Sequence, residues 1–217
     1  MDKKLLLFGG GGHCKVIIDS LLRKNFYTGI GIVDPNIKKG NSLLGIPVIG
    51  SDEDIADLYA DGYREAFISL GSIGNTSVRK KIYSQLKALQ FNIATIIDPT
   101  AEVSSFAKVE EGSYIGKNAL VNAGASIAAC SIVNTGAIIE HDSYIGSFTH
   151  VAPGAIVCGG VTIGESVHVG AGSVIKNGIV IGDEVMIGVG STIINNIGHN
   201  MIAYGNHQSV LKEKQDE

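Results

Sequence analysis

The chain has 217 residues, of which 29 are glycine and none is tryptophan, and its hydrophobic fraction of 45% excludes long-range disorder. A net charge of −4 disfavours a nucleic-acid partner. The sequence contains no run of 18 apolar residues, so no membrane span is predicted. Three cysteines without CxxC spacing (Cys14, Cys130, Cys158) are typical of free thiols in a reducing compartment. We therefore expect a cytoplasmic protein.

Residues 1–96 alternate between short apolar runs and amphipathic stretches. The predicted elements are strands at residues 5–8, 29–33 and 66–70, helices at residues 15–24 and 77–91, and a further helix that opens with a capping box at Ser51. This alternation predicts a small, Rossmann-like parallel sheet with helices.

A glycine-rich turn, residues 9–12, connects the first strand to the first helix. Such a turn lets a phosphate approach backbone amides at a helix N-terminus. Asp34 ends the second strand, which is a position suited to a ribose or base contact. The dinucleotide fingerprint is incomplete, because Cys14 stands where its third glycine is expected. These residues are thus compatible with a nucleotide site, with an NAD site and with a purely structural turn.

From Ile97 to Ile193 an isoleucine or valine recurs at every sixth position, and a small or β-branched residue follows each one four positions later. This period fits neither a helix nor simple strand alternation. It predicts a solenoid over residues 97–197, in which the aliphatic side chains point inward and stack between coils. Glycines at its corners and a narrow interior account for the many glycines and few aromatics. Residues 198–217 form a C-terminal tail.

This repeat resembles that of the hexapeptide-repeat acyltransferases, which implies a left-handed parallel β-helix with three hexapeptides per coil. The whole chain is similar to bacterial nucleotide-sugar N-acetyltransferases and the related sialic acid O-acetyltransferases. The resemblance is carried by residues 11–13, by residues 71–75 with Arg79, and by residues 134–142. It implies acetyl transfer from acetyl-CoA to the amine of a nucleotide-linked amino sugar, by a homotrimer with active sites between subunits and no metal.

His141 lies at a predicted corner, between Glu140 and Asp142. The pKa of histidine suits a general base near neutral pH, and a neighbouring carboxylate can orient the ring. Spacing alone does not choose between the two carboxylates, but the resemblance assigns Asp142. The resemblance also assigns the substrate-binding residues (Gly11, Gly12, His13, Asp34, Gly71) and the acetyl-CoA-binding residues (His150, Ala171, Val189). We expect direct attack on the thioester, without an acetyl-enzyme, because none of the three cysteines has an adjacent base in sequence.

His168 follows His150 by one predicted coil and is interpreted as a solvent-exposed corner residue without an assigned role. Together with His141, these two histidines could supply three imidazoles to a zinc ion, as in the γ-class carbonic anhydrases, but their spacing is wrong for that class. The resemblance leaves open O-acetylation of sialic acid or a related sugar. The same repeat would also suit a non-enzymatic trimeric scaffold that binds a nucleotide. Turnover of acetyl-CoA separates the enzymes from the scaffold.

Overall fold

The computed structural model describes residues 3–205, which form two units in succession. The first is an α/β unit built on one six-stranded sheet, and the second is the predicted left-handed parallel β-helix. The fold class that the sequence predicted is therefore confirmed. The tail predicted at residues 198–217 lies outside the described residues from residue 206 onward.

The α/β unit contains six strands and three α-helices. The strands are β1 (Lys4–Phe8), β2 (Gly29–Val33), β3 (Ser42–Leu43), β4 (Ile46–Gly50), β5 (Glu65–Ile68) and β6 (Asn92–Ile93). The helices are α1 (Gly12–Lys24), α2 (Ile55–Ala60) and α3 (Ser77–Ala88), with a 3-10 turn at Asp52–Asp54 before α2. Within residues 3–205, no helix combines the length and the hydrophobicity needed to cross a membrane.

The sheet order is β3-β4-β2-β1-β5-β6, and all neighbours are parallel except β3 and β4. This antiparallel hairpin at the sheet edge was not predicted from the sequence. Its turn consists of Leu44 and Gly45, which both have positive φ. A two-residue turn of this kind matches the twist of the flanking strands.

Helix α1 begins at Gly12, three residues before the predicted start at Lys15. Gly11 precedes it in an extended conformation. The predicted start was too late because it was based on the spacing of apolar side chains, which glycines lack. The helix ends at Asn25, which adopts the left-handed conformation, and Arg23 and Lys24 lie in its last turn. The glycine turn thus leads directly into the helix, and its last residue, Gly12, is the first residue of α1.

Strand β1 has apolar residues at four successive positions because it is buried on both sides. Leu5 and Leu7 pack in the cluster that includes α1, whereas Leu6 and Phe8 pack in the cluster that includes α2 and α3. A parallel strand covered on both faces shows such a continuous apolar run. Burial of each of these side chains contributes about 1.5–3 kcal/mol to stability.

Each complete coil of the β-helix has three two-residue strands, which stack into three faces. The strands of the first face are Ile96–Ile97, Tyr114–Ile115, Ile132–Val133, His150–Val151, His168–Val169, Met186–Ile187 and Ile202–Ala203. Those of the second face are Glu102–Val103, Leu120–Val121, Ile138–Ile139, Ile156–Val157, Val174–Ile175 and Thr192–Ile193. Those of the third face are Lys108–Val109, Ser126–Ile127, Tyr144–Ile145, Thr162–Ile163 and Val180–Ile181.

Stacked aliphatic side chains fill the interior of the β-helix, as the six-residue period predicted. Val121, Ile139 and Val157, for example, pair in register one coil apart and are fully buried. The corners contain residues with positive φ, and many of these are glycine. Cys130 and Phe148 adopt the same conformation, which we did not expect of such side chains. Both are buried against the α/β unit, and this burial offsets the backbone strain.

The α/β unit packs against the first face of the β-helix. Arg79 of α3 is buried, and its guanidinium donates to the carbonyl oxygens of Cys130 and Phe148. Ser20 of α1 donates to the buried carboxylate of Asp98. Because these polar groups are buried and paired, they fix the position of the unit on that face.

The β-helix is triangular in section, so each face lies opposite one edge. The edge opposite the first face consists of the corners at residues 104–107, 122–125, 140–143, 158–161 and 176–179, and we call it the far edge. In the described part of the chain, the hydrogen bonds and ion pairs between the two units involve only the first face and its adjoining corners. The α/β unit and the far edge are therefore on opposite sides of the β-helix.

Candidate active site

His141 and Asp142 form an exposed pair in one corner of the far edge. Nδ1 of His141 lies 2.9 Å from Oδ2 of Asp142. Because a carboxylate can only accept, Nδ1 carries the proton, and Nε2 of the neutral ring is free to accept another. The side chain of His141 is 62% exposed, so a ligand can reach it in the isolated chain.

The hydrogen bond that His141 donates to Asp142 raises the pKa of His141 above its ordinary value, and the charges of Asp142 and Glu140 act in the same direction. An imidazolium formed at His141 is stabilised by the same carboxylate. The pair therefore has the properties of a general base with its orienting partner.

The carboxylates of Glu140 and Asp142, which the sequence spacing could not distinguish, make different contacts in the structure. Oε2 of Glu140 accepts hydrogen bonds from Nδ2 of Asn122, at 2.9 Å, and from the backbone N–H of His141, at 3.3 Å. Glu140 thus links its corner to Asn122 of the preceding coil, whereas Asp142 contacts the imidazole ring.

A cavity of about 260 Å³ opens at the carboxyl ends of β1 and β2. Its lining includes Gly9, Asp34, Leu70, Val78, Lys81 and Ile82. Open parallel sheets bind ligands at this position. Gly11 and Gly12 are exposed at the start of α1, and no atom lies within 4 Å of where their side chains would be. The amides at this helix N-terminus are therefore accessible to an anionic group.

Asp34 both lines the cavity and braces the glycine turn. Its Oδ2 accepts a hydrogen bond from the backbone N–H of Gly10 at 2.7 Å, and its Oδ1 accepts one from that of Asn36 at 2.8 Å. Each carboxylate oxygen has a further lone pair. The predicted contact with a ribose or base thus remains sterically and chemically available, and it stays a prediction.

The ring of His13 is turned inward, below Gly71. It packs edge-to-face on Tyr114, with ring centroids 5.5 Å apart. Burial, and to a smaller extent the nearby charges of His150 and Arg79, lower the pKa of His13 to about 3, so the ring is neutral. We therefore expect any substrate contact of His13 to be made through its backbone amide in the first turn of α1.

His150 and His168 stack one coil apart on the first face, as predicted, with ring centroids 5.1 Å apart. Nδ1 of His150 donates to the carbonyl of Ser72 at 2.9 Å, and Nε2 accepts from Nδ2 of Asn134 at 3.1 Å. Burial lowers the pKa of His150 to about 4. The expectation that His168 is a solvent-exposed corner residue is wrong: it is buried, because the α/β unit covers this face.

The residues predicted to bind acetyl-CoA differ in accessibility. Ala171 and Val189 stack on the edge between the first and second faces, where the N–H of Gly190 donates to the carbonyl of Ala171 at 2.9 Å. Val189 is 80% exposed. The ring of His150 instead faces Ser72 inside the chain. Its role toward acetyl-CoA stays a prediction.

The three histidines considered as zinc ligands do not converge within the chain. His141 lies on the far edge, whereas His150 and His168 are buried on the first face. Across residues 3–205, no three or more His, Cys, Asp or Glu side chains are placed to hold a metal ion together.

Comparisons with known proteins decide the family. The PglD N-terminal domain family matches residues 4–86, and the bacterial transferase hexapeptide family (six repeats) matches residues 142–177. The acetyltransferase domain of PglB from Neisseria gonorrhoeae is 31% identical to this chain, with a TM-score of 0.88 over 94% of this chain and 97% of that one. The chain belongs to the hexapeptide-repeat nucleotide-sugar N-acetyltransferases.

The present chain is also similar to PerB from Caulobacter crescentus, whose structure contains CoA and GDP-perosamine. The two are 30% identical, with a TM-score of 0.84 over 93% of this chain and 94% of that one. WeeI from Acinetobacter baumannii, at 23% identity over 94% of this chain and 97% of that one, has a TM-score of 0.84 and shows the shared fold. A comparison with curated protein sequences gave no significant match.

Some residues of the acetyltransferase that line or support these sites were missed by the sequence analysis. Val78, Lys81 and Ile82 of α3 line the cavity, and Ser72 and Asn134 hold the ring of His150. Helical spacing predicts that residues 78, 81 and 82 share one helix face. It does not say that this face borders a cavity, because that depends on how α3 packs beside β1.

Proposed function

We propose that this acetyltransferase transfers the acetyl group of acetyl-CoA to the amine of a nucleotide-linked amino sugar. The observation that carries the proposal is the exposed pair of His141 and Asp142 on the β-helix, combined with a cavity in the α/β unit that can hold a nucleotide. The N-acetyltransferase relatives, one of them with CoA and GDP-perosamine bound, support an amine acceptor over the hydroxyl of a sialic acid.

In the proposed reaction, Nε2 of His141 takes a proton from the amine as the amine nitrogen attacks the thioester carbonyl. The tetrahedral intermediate then collapses, the carbon–sulfur bond breaks, and CoA leaves as a thiolate that takes up a proton. Asp142 keeps Nε2 directed at the amine and stabilises the imidazolium.

In the proposed mechanism attack is direct, and neither of the two buried cysteines forms an acetyl-enzyme. Burial raises the pKa of Cys14 to about 11 and that of Cys130 to about 12, so both thiols are protonated at neutral pH. A protonated, buried thiol is a poor nucleophile. These two cysteines are therefore structural residues in our mechanism.

The α/β unit holds the nucleotide part of the substrate. The exposed amides at Gly11 and Gly12 suit the diphosphate, and the cavity beside Asp34 suits the ribose or base. Gly71, directly above His13, borders the same turn.

The active site lies between subunits of a homotrimer. Two observations support this assembly: the α/β unit of one chain is on the opposite side of the β-helix from His141, and the second face carries a row of half-exposed aliphatic side chains. That row consists of Leu120, Ile138, Ile156 and Val174. His141 and the predicted acetyl-CoA residues Ala171 and Val189 lie on the two edges that border this face. A neighbouring chain packed there brings one edge next to the other.

The proposal is tested with the purified full-length protein and acetyl-CoA. Nucleotide-linked 4-amino, 3-amino and 2-amino sugars are offered in parallel with the matching hydroxyl sugars and with free sialic acid, and release of the CoA thiol is measured. We expect turnover with at least one amino sugar and none with its hydroxyl counterpart. The proposal is contradicted if CoA is released only with hydroxyl acceptors, or if none of the acceptors supports its release.

A further inference from the structure

Gly159 lies one coil beyond His141 on the far edge, and the imidazole ring occupies the space beside it. A Cβ added at Gly159 would lie 2.5 Å from Nε2 and 2.7 Å from Cε1 of His141. Real Cβ atoms do not approach other atoms so closely. The ring of His141 therefore stays where it is because residue 159 has no side chain.

The β-helix itself does not require a glycine at this position. Ser105, Ala123 and Asn177 occupy the equivalent position in other coils, and each has a side chain. The φ of Gly159 lies outside the left-handed region that favours glycine. The contact that a side chain at residue 159 would disturb is the one with His141.

The His141 ring cannot move away from a side chain at residue 159 without disturbing its hydrogen bond to Asp142. Nδ1 is held by Asp142 at 2.9 Å, and the carboxylate of Asp142 is itself in close contact with Gly124, where an added Cβ would lie 2.4 Å from Oδ1. The pair is thus seated between glycines of the two neighbouring coils. A displacement of about 1 Å at Nε2 is needed to relieve the clash, and because the ring is rigid it also moves Nδ1 and weakens the hydrogen bond to Asp142.

We propose that Gly159 is a positioning residue, whose missing side chain keeps the His141 ring bonded to Asp142 and leaves room for the acceptor amine in front of Nε2. This inference rests on the proposed role of His141 as the base. Gly124 makes the complementary contact but has a φ of +75°, so its replacement would also strain the backbone. At Gly159 an added side chain would contact His141 without straining the backbone, so this position tests the steric effect alone.

The test is Gly159→Ala in the full-length protein, with Gly198→Ala as the matched control. Gly198 also lies outside the left-handed region, and no atom lies within 4 Å of where its Cβ would be. We expect the thermal midpoint of Gly159→Ala to stay at or slightly above that of the wild type, because alanine restricts the unfolded chain more than glycine does. We expect its kcat to fall by about tenfold or more, and that of Gly198→Ala to stay unchanged.

A second measurement does not depend on turnover. An NMR titration of histidine ring carbons reports the pKa of His141, which the wild type holds above the ordinary value through Asp142. We expect this pKa to fall toward the ordinary value in Gly159→Ala and to stay raised in Gly198→Ala. A Gly159→Ala protein with the wild-type titration and the wild-type kcat overturns the inference.

His141→Ala, assayed alongside, separates the two proposals. If His141→Ala is inactive while Gly159→Ala is fully active, the base is correct and the positioning role is wrong. If His141→Ala is fully active, the proposed base is wrong, and the inference, which rests on it, falls as well.

Discussion

Asp142 accepts a hydrogen bond from Nδ1 of His141 across 2.9 Å, although the two residues are consecutive in the chain. Consecutive side chains on a strand point to opposite faces, so this contact depends on the corner between two strands. The N–H of Glu140 and that of Tyr144 donate to the next coil at 2.9 and 2.8 Å, on either side of the corner. The β-helix thus holds the pair in place before any substrate binds.

Replacing His141 by Ala tests the base. We expect turnover to fall by about 100-fold or more, because no other group removes the proton from the amine. His199→Ala is the control, since His199 is similarly exposed, but its Nδ1, 3.2 Å from Oδ2 of Asp183, accepts a hydrogen bond from the backbone N–H of Asp183 at 2.9 Å instead of donating to the carboxylate. The control should keep wild-type turnover. Equal losses in both variants would argue against a specific role for His141.

Replacing Asp142 by Asn tests the source of the raised pKa. His141 acts as a base only when it is unprotonated, so kcat/KM falls on the acid side of its pKa. Because Asp142 is the main cause of the upward shift, Asp142→Asn should move this acid limb to lower pH and lower the maximal rate. The smaller effect of Glu140 predicts a smaller movement for Glu140→Gln. A limb that stays in place in Asp142→Asn would contradict this assignment.

Replacing Gly12 by Asp tests the predicted phosphate site at the start of α1. The added carboxylate projects into open space and lies where a helix favours negative charge, so the thermal midpoint should not fall. Repulsion of the diphosphate should raise the KM for the nucleotide sugar by about tenfold or more, with the KM for acetyl-CoA unchanged. Gly12→Ser is the uncharged control. An equal rise in both variants would indicate steric hindrance instead.

Co-expression of His141→Ala with Gly12→Asp tests whether sites form between subunits. If each site combines His141 of one chain with the α/β unit of another, a random mixture contains about one quarter intact sites. At a nucleotide-sugar concentration well below the wild-type KM, where each variant alone is impaired, we therefore expect activity to return to about a quarter of the wild-type level. If each site were built within one chain, the mixture would be no more active than the average of the two variants.

Thermal unfolding between pH 7 and pH 5 tests the buried histidines. Burial holds the pKa of His150 at about 4 and that of His13 at about 3, below the ordinary value of 6.5. As the pH falls below 6.5, the unfolded chain takes up protons that the folded chain does not, so stability is lost over this range.

The matched variant is His150→Asn, whose amide N–H₂ can still donate to the carbonyl of Ser72. It removes one of the titrating groups and should show a smaller fall of the thermal midpoint over the same range. A wild-type midpoint that rises on acidification would show that these histidines are not buried in the neutral form.

Sequence alone determined the β-helix and the position of His141, our proposed base, within it. A period of six with Ile or Val at each repeat allows one kind of solenoid, and within that repeat residue 141 falls at a corner, where a polar side chain points outward. The strand at Gly29–Val33 was predictable for a similar reason, since its pattern is local.

The tertiary structure decided what depends on packing between distant parts of the chain. His168 is buried because the α/β unit covers the first face, and no local pattern records that contact. Only the path of the corner shows that Asp142, and not Glu140, contacts the imidazole ring, and only the stacking of coils shows that Gly159 lies against His141 of the preceding coil. Local periodicity specifies which side of a strand a residue faces, whereas the neighbours of that side are set by residues 18 or more positions away.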